Sequence, residues 1–141
     1  MRSSGRRAAS ILATAAELFR DANYWEAIQQ LEPMIPRATG ETRDSAQLLL
    51  AQAYLKNPKW MRRAEAVLQT LVARSPRHVT AQLQLAEIYR ASGLTSRAKA
   101  AYEKVLEIDP DNVQARKALD FLHSKTKEPK QSGLGSLFRR R

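Results

Sequence analysis

Few side chains in this sequence have types and spacings that suggest chemistry. Glu103 and Glu107 lie four positions apart, so a helix would place both carboxylates on one face, as a paired-carboxylate acid–base site requires. Lys104 lies beside them and favours a solvated helix face instead. His78 and His123 are the two histidines, and each is interpreted as a surface residue rather than a metal ligand. We therefore expect a protein that is not an enzyme and that uses no metal or cofactor.

The composition narrows the function classes further. The chain has 141 residues, of which 43% are hydrophobic, and it has no cysteine. A disulfide scaffold, a cysteine–zinc site and a thiol nucleophile are thereby excluded. No run of about 18 apolar residues occurs, so no segment is expected to span a membrane. We expect one folded domain with a cytoplasmic location, since the lack of cysteine fits a reducing compartment.

The formal net charge of +10 is concentrated at the two ends of the chain. Residues 1–7 contribute +3 and residues 124–141 contribute +5, which leaves +2 for the rest. A duplex-binding domain would carry a basic stripe on its folded face, and the sequence of residues 8–123 indicates none. Residues 1–7 are interpreted as a basic arm before the first helix, with a targeting segment as the alternative.

The elements that would position these side chains follow a repeated pattern. The third copy consists of Gln82-x2-Leu85-Ala86-x2-Tyr89, Gly93, Ala98-x3-Tyr102 and Pro110. Apolar residues at helical spacing on both sides of a glycine predict two amphipathic helices joined by a tight turn. A helical hairpin is therefore the predicted unit.

The same frame fits twice more upstream. The second copy consists of Gln47-x2-Leu50-Ala51-x2-Tyr54, Ala64-x3-Leu68 and Pro76. The first copy consists of Ile11-x2-Thr14-Ala15-x2-Leu18 and Ala27-x3-Leu31. Pro33 and Pro36 are expected to shorten or kink the second helix of the first copy. After Pro110 the pattern predicts a seventh helix, which packs on the last repeat through Val113, Leu119 and Leu122.

This pattern resembles the tetratricopeptide repeat, whose consensus W-x2-L-G-x2-Y, A-x3-F and P extends over about 34 residues. Here the opening Trp is absent and Ala replaces Gly. The resemblance implies an all-α fold, namely an α-solenoid of three helical hairpins with a C-terminal capping helix and a disordered basic tail. The implied divisions are an arm at 1–7, an irregular first repeat at 8–43, repeats at 44–78 and 79–112, a capping helix at 113–126 and a flexible tail at 127–141.

The family that this chain resembles binds proteins and does not catalyse, and the first helix of each repeat lines a concave groove. The resemblance assigns the partner groove to Leu12, Phe19, Arg20, Leu48, Gln52, Leu55, Lys56, Leu83, Glu87 and Arg90. Co-chaperone members hold a partner's C-terminal carboxylate with Lys, Arg and Asn, whereas Leu12, Ala16 and Leu48 stand at clamp positions here. The expected groove is an apolar stripe with a charged rim, suited to an apolar or amphipathic segment.

We therefore expect a non-catalytic adaptor or scaffold for a partner protein. One alternative is a chaperone for an exported or aggregation-prone client. Another is an accessory protein that meets an anionic membrane surface or nucleic acid through the basic termini. Self-association through the ends of the solenoid also stays open.

The C-terminal segment SGLGSLFRRR ends in a candidate motif made of Leu137, Phe138, Arg139, Arg140 and Arg141. Gly, Ser and Pro before it predict a flexible linker. Docking of Leu137 and Phe138 into the protein's own groove, attraction to an anionic surface, docking to another protein and simple solubilisation are the four interpretations.

Overall fold

Helices dominate the computed structural model of the chain, which describes residues 2–128. In chain order they are α1 (Arg2–Arg20), α2 (Tyr24–Met34), α3 (Gly40–Tyr54), α4 (Met61–Arg74), α5 (Val79–Ala91), α6 (Thr95–Ile108) and α7 (Val113–Glu128). Single 3-10 turns at Ile35–Arg37 and Pro58–Trp60 follow α2 and precede α4. None of these helices is both long and apolar enough to cross a bilayer. The predicted all-α class, with three helical hairpins and a seventh helix, is confirmed.

The alanines of the repeat frame read from the sequence coincide with fully buried positions. The alanines of the pattern are all 0% exposed, namely Ala15, Ala27, Ala51, Ala64, Ala86 and Ala98. Because a methyl group allows two helices to approach closely, these positions are the natural contact points between helices. The larger residues four positions after the second alanine, Leu31, Leu68 and Tyr102, are also 0% exposed and fill the spaces between helices.

The chain folds as two compact units, one ending at Ala81 and the other beginning at Gln82. In the first unit, α1 packs against α2 and α3, and α3 packs against α4. In the second unit, α6 packs against α7. The first unit therefore brings together the helices that carry most of the predicted groove residues.

Several helix ends differ from the predicted divisions. Helix α1 begins at Arg2, so residues 2–7 are helical rather than a separate arm. Arginine has a high helix propensity, and no proline interrupts this stretch. Helix α7 continues through Lys127 to Glu128, past the predicted end at 126, because both residues are good helix formers. The rest of the predicted tail lies outside the described residues.

The proline effect on α2 follows the prediction, whereas one packing residue of α7 does not. Pro33 lies inside α2, which ends at Met34 after 11 residues, while α4 and α6 each have 14. On α7, Leu119 and Leu122 are each 7% exposed, as expected, but Val113 is 62% exposed. The buried face is centred on Ala115, Leu119 and Leu122, and a position two residues before Ala115 points roughly to the opposite side of the helix.

The turns of the first and third hairpins have the same hydrogen-bonding pattern, but a different type of residue adopts the left-handed conformation in each. In the third hairpin, Leu94 N–H donates to the Tyr89 carbonyl at 2.9 Å, and Gly93 has φ +76°. In the first hairpin, Asn23 N–H donates to the Leu18 carbonyl at 2.8 Å, and Ala22 has φ +63°. This is the Schellman ending, in which glycine is the usual left-handed residue. Ala22 therefore carries backbone strain that Gly93 avoids.

We predict opposite stability changes for the two exchanges at these turns. Gly93→Ala lowers the free energy of unfolding by about 1 kcal/mol, because a Cβ disfavours the left-handed conformation, whereas Ala22→Gly raises it by a similar amount. No atom lies within 4 Å of the place that a Cβ on Gly93 would take, so backbone strain alone sets the cost. Gly5→Ala within α1 is the control and is neutral or stabilising. Urea unfolding measures all three, and a Gly93→Ala variant as stable as the parent contradicts the assignment.

A polar cluster joins the start of α3 to the end of α4. Asp44 pairs with Arg74 and accepts a hydrogen bond from Ser75 Oγ at 2.8 Å, while Arg74 also donates to Gln47 Oε1 at 2.7 Å. Burial alone would raise the pKa of Asp44, but the hydrogen bonds from Arg74 and Ser75 outweigh it and hold that pKa below its usual value. The cluster fixes the hairpin that presents Leu48 and Gln52.

Because the pKa of Asp44 is depressed in the folded state, its contribution is present at neutral pH and is lost on acidification. We predict that Asp44→Asn lowers the free energy of unfolding at pH 7 by roughly 1 kcal/mol. The difference from the parent narrows as the pH falls below 3.8, the ordinary value for this group. Urea unfolding at several pH values tests this, with Asp120→Asn on the exposed side of α7 as control. If the difference in free energy of unfolding between Asp44→Asn and the parent stays constant down to pH 2.5, the prediction is contradicted.

Candidate partner-binding site

The predicted groove residues lie on α1, on α3 and the turn after it, and on α5, and none of them is buried. Leu12, Phe19, Leu48, Gln52, Leu55, Leu83 and Glu87 are half-buried, and Arg20, Lys56 and Arg90 are exposed. Half-buried apolar side chains keep part of their surface open to a partner while their bases pack on the fold. In the first unit, these residues belong to α1, to α3 and to the turn after α3, and α1 and α3 pack against each other.

Four of the predicted residues line one open depression in the first unit. Phe19 comes from α1, while Gln52, Leu55 and Lys56 come from the end of α3 and the turn after it. The depression has a volume of about 340 Å³, near the lower end of ligand-pocket volumes. We call it the α1/α3 pocket. Leu12, Arg20 and Leu48 do not line it. The pocket therefore includes only part of the apolar stripe that is expected from the sequence.

Two aromatic rings hold the cation of the α1/α3 pocket. Lys56 Nζ lies 5.7 Å from the centre of the Phe19 ring and 5.4 Å from that of Tyr24. The two rings meet edge to face with their centres 5.1 Å apart. Cation–π contacts of this kind contribute about 0.5–1 kcal/mol at exposed sites. The ammonium is therefore positioned beside an apolar wall, where it can meet a carboxylate or carbonyl of a bound segment.

Tyr24 is a pocket-supporting residue that the sequence analysis did not single out. It is the first residue of α2 and lies two positions after Ala22, whose φ is +63°. The sequence contains one indication of its importance, because Trp60 likewise lies where the second helix of its hairpin, α4, is about to begin. The contact with Lys56 spans 32 positions of the sequence and needs the packing of the first two hairpins.

In the second unit, two of the predicted rim charges bind each other. Glu87 Oε2 accepts from Arg90 Nη2 at 2.6 Å and from Arg90 Nε at 3.0 Å, and Glu87 Oε1 accepts from Gln114 Nε2 at 3.3 Å. Burial raises the pKa of Glu87, but these hydrogen bonds outweigh it and hold that pKa below its usual value. The carboxylate stays ionised and paired with Arg90. A partner that meets this face therefore meets an ion pair rather than two separate charges.

An aromatic cluster on the first unit is a further exposed feature. The rings of Trp25 and Trp60 lie 5.8 Å apart, and the Tyr54 ring lies 6.1 Å from that of Trp60. The Arg63 guanidinium lies 5.2 Å from the Trp60 ring centre. Tyr54 also donates to Glu32 Oε1 at 2.5 Å, and burial together with this carboxylate raises the pKa of Tyr54 above its usual range. Trp25 remains 57% exposed at the edge of the cluster.

The side chains that suggested chemistry have structural contacts. Lys104 Nζ lies 3.3 Å from Glu107 Oε2, and Glu103 is exposed on the same helix. His78 Nδ1 accepts from the Ala81 N–H at 3.2 Å and so caps the start of α5. Among residues 2–128, no group of three His, Cys, Asp or Glu side chains is arranged to hold a metal ion. The tail motif Leu137, Phe138, Arg139, Arg140 and Arg141 lies outside the described residues.

Comparisons with known proteins support the fold described above. Residues 61–120 match the family model described as tetratricopeptide repeat. A comparison with curated protein sequences finds no match. The first TPR domain of Spaghetti (RPAP3), solved with the HSP90 peptide SRMEEVD, superposes with a TM-score of 0.75 at 22% identity, covering 86% of this chain and 97% of that one.

Two further solved structures share the fold. The second TPR domain of human RPAP3, solved in complex with the HSP70 peptide SGPTIEEVD, gives a TM-score of 0.73 at 22% identity, covering 84% of this chain and 96% of that one. The crystal structure of MamA gives 0.76 at 20% identity, covering 84% of this chain and 68% of that one. Residues 61–120 therefore carry the tetratricopeptide repeat sequence pattern, and the solved structures show that the chain shares the fold of TPR domains.

Proposed function

We propose that this protein is a non-catalytic adaptor that binds a segment of a partner protein at the α1/α3 pocket. The observation that carries the proposal is the meeting of Phe19, Gln52, Leu55 and Lys56 around one depression. Leu55 and the Phe19 ring offer an apolar surface for one side chain. Gln52 supplies an amide that can donate to and accept from a peptide backbone. Lys56 supplies a fixed positive charge.

The chemistry of the pocket defines the segment it suits. An apolar side chain enters between Phe19 and Leu55, and a neighbouring carboxylate or carbonyl meets Lys56 Nζ. The RPAP3 domains, which share this fold, were solved with short chaperone peptides, and this supports a peptide as the ligand class. Leu12 and Leu48 are apolar where a carboxylate clamp needs Lys or another polar donor, so we propose an internal amphipathic segment rather than a chaperone tail.

Affinity capture from native lysate with three purified baits tests the proposal. The baits are the full chain, a Phe19→Glu/Leu55→Glu pocket variant and a Leu94→Glu/Phe121→Glu control. The control makes the same two types of exchange at exposed positions outside the pocket, where Leu94 is 39% exposed and Phe121 is 54% exposed. Circular dichroism first verifies that all three baits are folded. We expect a stoichiometric protein on the first and third baits and not on the pocket variant.

The other outcomes of the capture distinguish the competing functions. Retention that is equal on all three baits and is lost in moderate salt contradicts the pocket and favours an anionic surface acting on the basic termini. A captured protein that precipitates without this chain and stays soluble with it shows a chaperone using the same pocket. A partner lost equally from the pocket variant and the control contradicts the proposed site.

A further inference from the structure

A second open cleft lies between α1 and α2, on residues that the proposed function does not use. Its volume is about 340 Å³, and its floor contains Ala8, Ile11, Pro33 and Met34. Ala8 and Met34 are 6% and 4% exposed and belong to the packed core of the first unit, whereas Ile11 is half-buried and Pro33 is exposed. We call this feature the α1/α2 cleft. It shares no lining residue with the α1/α3 pocket.

Two arginines give the α1/α2 cleft its charge. Arg7 comes from α1, Arg37 comes from the 3-10 turn after α2, and both are exposed. No acidic side chain lines the cleft. Within the described part of the chain, the ion pairs use Arg74, Arg90 and Lys104 as their cations, and not these two arginines. The cleft therefore offers two uncompensated guanidinium groups beside an apolar floor.

The remaining lining residues favour a peptide over a simple anion. Gln29 and Gln30 of α2 also line the cleft, and their amides can donate to and accept from a peptide backbone. A free phosphate or other small anion would leave the apolar floor in water. An apolar side chain on that floor gains about 25 cal/mol for each Å² removed from water. Carboxylates on the same segment form charge-assisted hydrogen bonds with guanidinium groups.

We infer that the α1/α2 cleft is a second docking site, which binds a segment of a partner protein in which acidic residues flank an apolar side chain. Arg7 and Arg37 bind the carboxylates, the floor of Ala8, Ile11, Pro33 and Met34 takes the apolar side chain, and the two glutamines bind the backbone. With the α1/α3 pocket, this gives the first unit two separate binding surfaces. A protein built in this way joins two partners.

Selection from a phage-displayed random peptide library tests the inference without knowledge of the partner. The bait is the full chain carrying Phe19→Glu/Leu55→Glu, so that peptides for the α1/α3 pocket are not recovered. Two further baits add either Arg7→Glu/Arg37→Glu or Arg62→Glu/Arg77→Glu to it. Arg62 and Arg77 are exposed and line neither site, so the second pair matches the change in net charge.

We expect the first bait to enrich peptides in which Asp or Glu flanks Leu, Ile, Met or Phe. A synthetic peptide with the enriched sequence binds at least tenfold more weakly to the Arg7→Glu/Arg37→Glu bait and about equally to the Arg62→Glu/Arg77→Glu bait. The bait with Arg7→Glu/Arg37→Glu instead enriches peptides in which Lys or Arg flanks the apolar residue. Failure to enrich any peptide overturns the inference, as does an equal loss of affinity on both charge-reversed baits. The proposed function is untouched by either result, because its pocket is already blocked in these baits.

Discussion

Leu68→Ala is expected to lower the free energy of unfolding by roughly 2–5 kcal/mol, the range for a buried leucine that leaves a cavity. Leu68 is 0% exposed on α4, at the same repeat position as Leu31 and Tyr102. Each of these side chains fills the space beside a fully buried alanine of its own helix. A domain of this size is stable by only about 5–15 kcal/mol, so this one change removes a large share.

Arg62→Ala is the matched control for this variant. It truncates an exposed side chain on the same helix, and surface exchanges of this kind usually change stability by less than about 0.5 kcal/mol. Chemical unfolding followed by circular dichroism measures both variants. A loss below about 1 kcal/mol for Leu68→Ala would mean that the repeat position is not a packing position, and it would contradict the repeat frame.

Leu55→Ala is expected to weaken binding of the partner segment by about 10-fold to 100-fold without loss of the fold. Removing a leucine side chain from an apolar contact costs about 1.5–3 kcal/mol, and each 1.4 kcal/mol is about tenfold in affinity. Leu55 is half-buried on the wall of the α1/α3 pocket, so its truncation leaves the core intact. Lys56→Ala is expected to have a smaller effect, since an exposed cation contributes less.

The control for Leu55→Ala is Leu94→Ala, because Leu94 is 39% exposed in the turn before α6. Isothermal titration of each variant with the captured partner, or with its binding segment, measures the affinities. Equal affinities for Leu55→Ala and the parent would place the binding energy elsewhere. Equal losses for Leu55→Ala and Leu94→Ala would indicate a general effect on the fold.

The repeat frame was predictable because it depends on local rules. Small alanines recur at fixed helical spacing, and a helix repeats its faces every 3.6 residues. Burial of Ala51, Ala64, Ala86 and Ala98 followed directly from that pattern. The same local rule places Val113 on the side of α7 away from Ala115, so the prediction that Val113 packs on the last repeat was wrong.

The contacts that shape the two surfaces were less predictable, because they join residues from different helices. Lys56 meets Phe19 and Tyr24 only after the first two hairpins have packed. Arg7 faces the same cleft as Arg37 because α1 extends back to Arg2 and packs along α2. Because residues 1–7 are predicted to form an arm before the first helix, the sequence gives no reason to place Arg7 beside Arg37.

One contact was predictable from the sequence. Glu87 and Arg90 lie three positions apart on α5 and form an ion pair with N–O distance 2.6 Å. Opposite charges at this spacing on a helix are expected to meet. The prediction of two separate rim charges did not include this pairing. It therefore overstated the free charge on this face of the second unit.

Photo-crosslinking from inside the α1/α3 pocket tests the central claim most directly. A benzoylphenylalanine replaces Gln52, which lines the pocket and is half-buried, and a second chain carries it at the exposed position of Arg62. Both chains are irradiated in native cells, with and without the added Leu55→Glu exchange. We predict a discrete crosslinked product from position 52 that disappears with Leu55→Glu. A product that persists with Leu55→Glu, or that forms only from position 62, would contradict the claim that this pocket binds the partner.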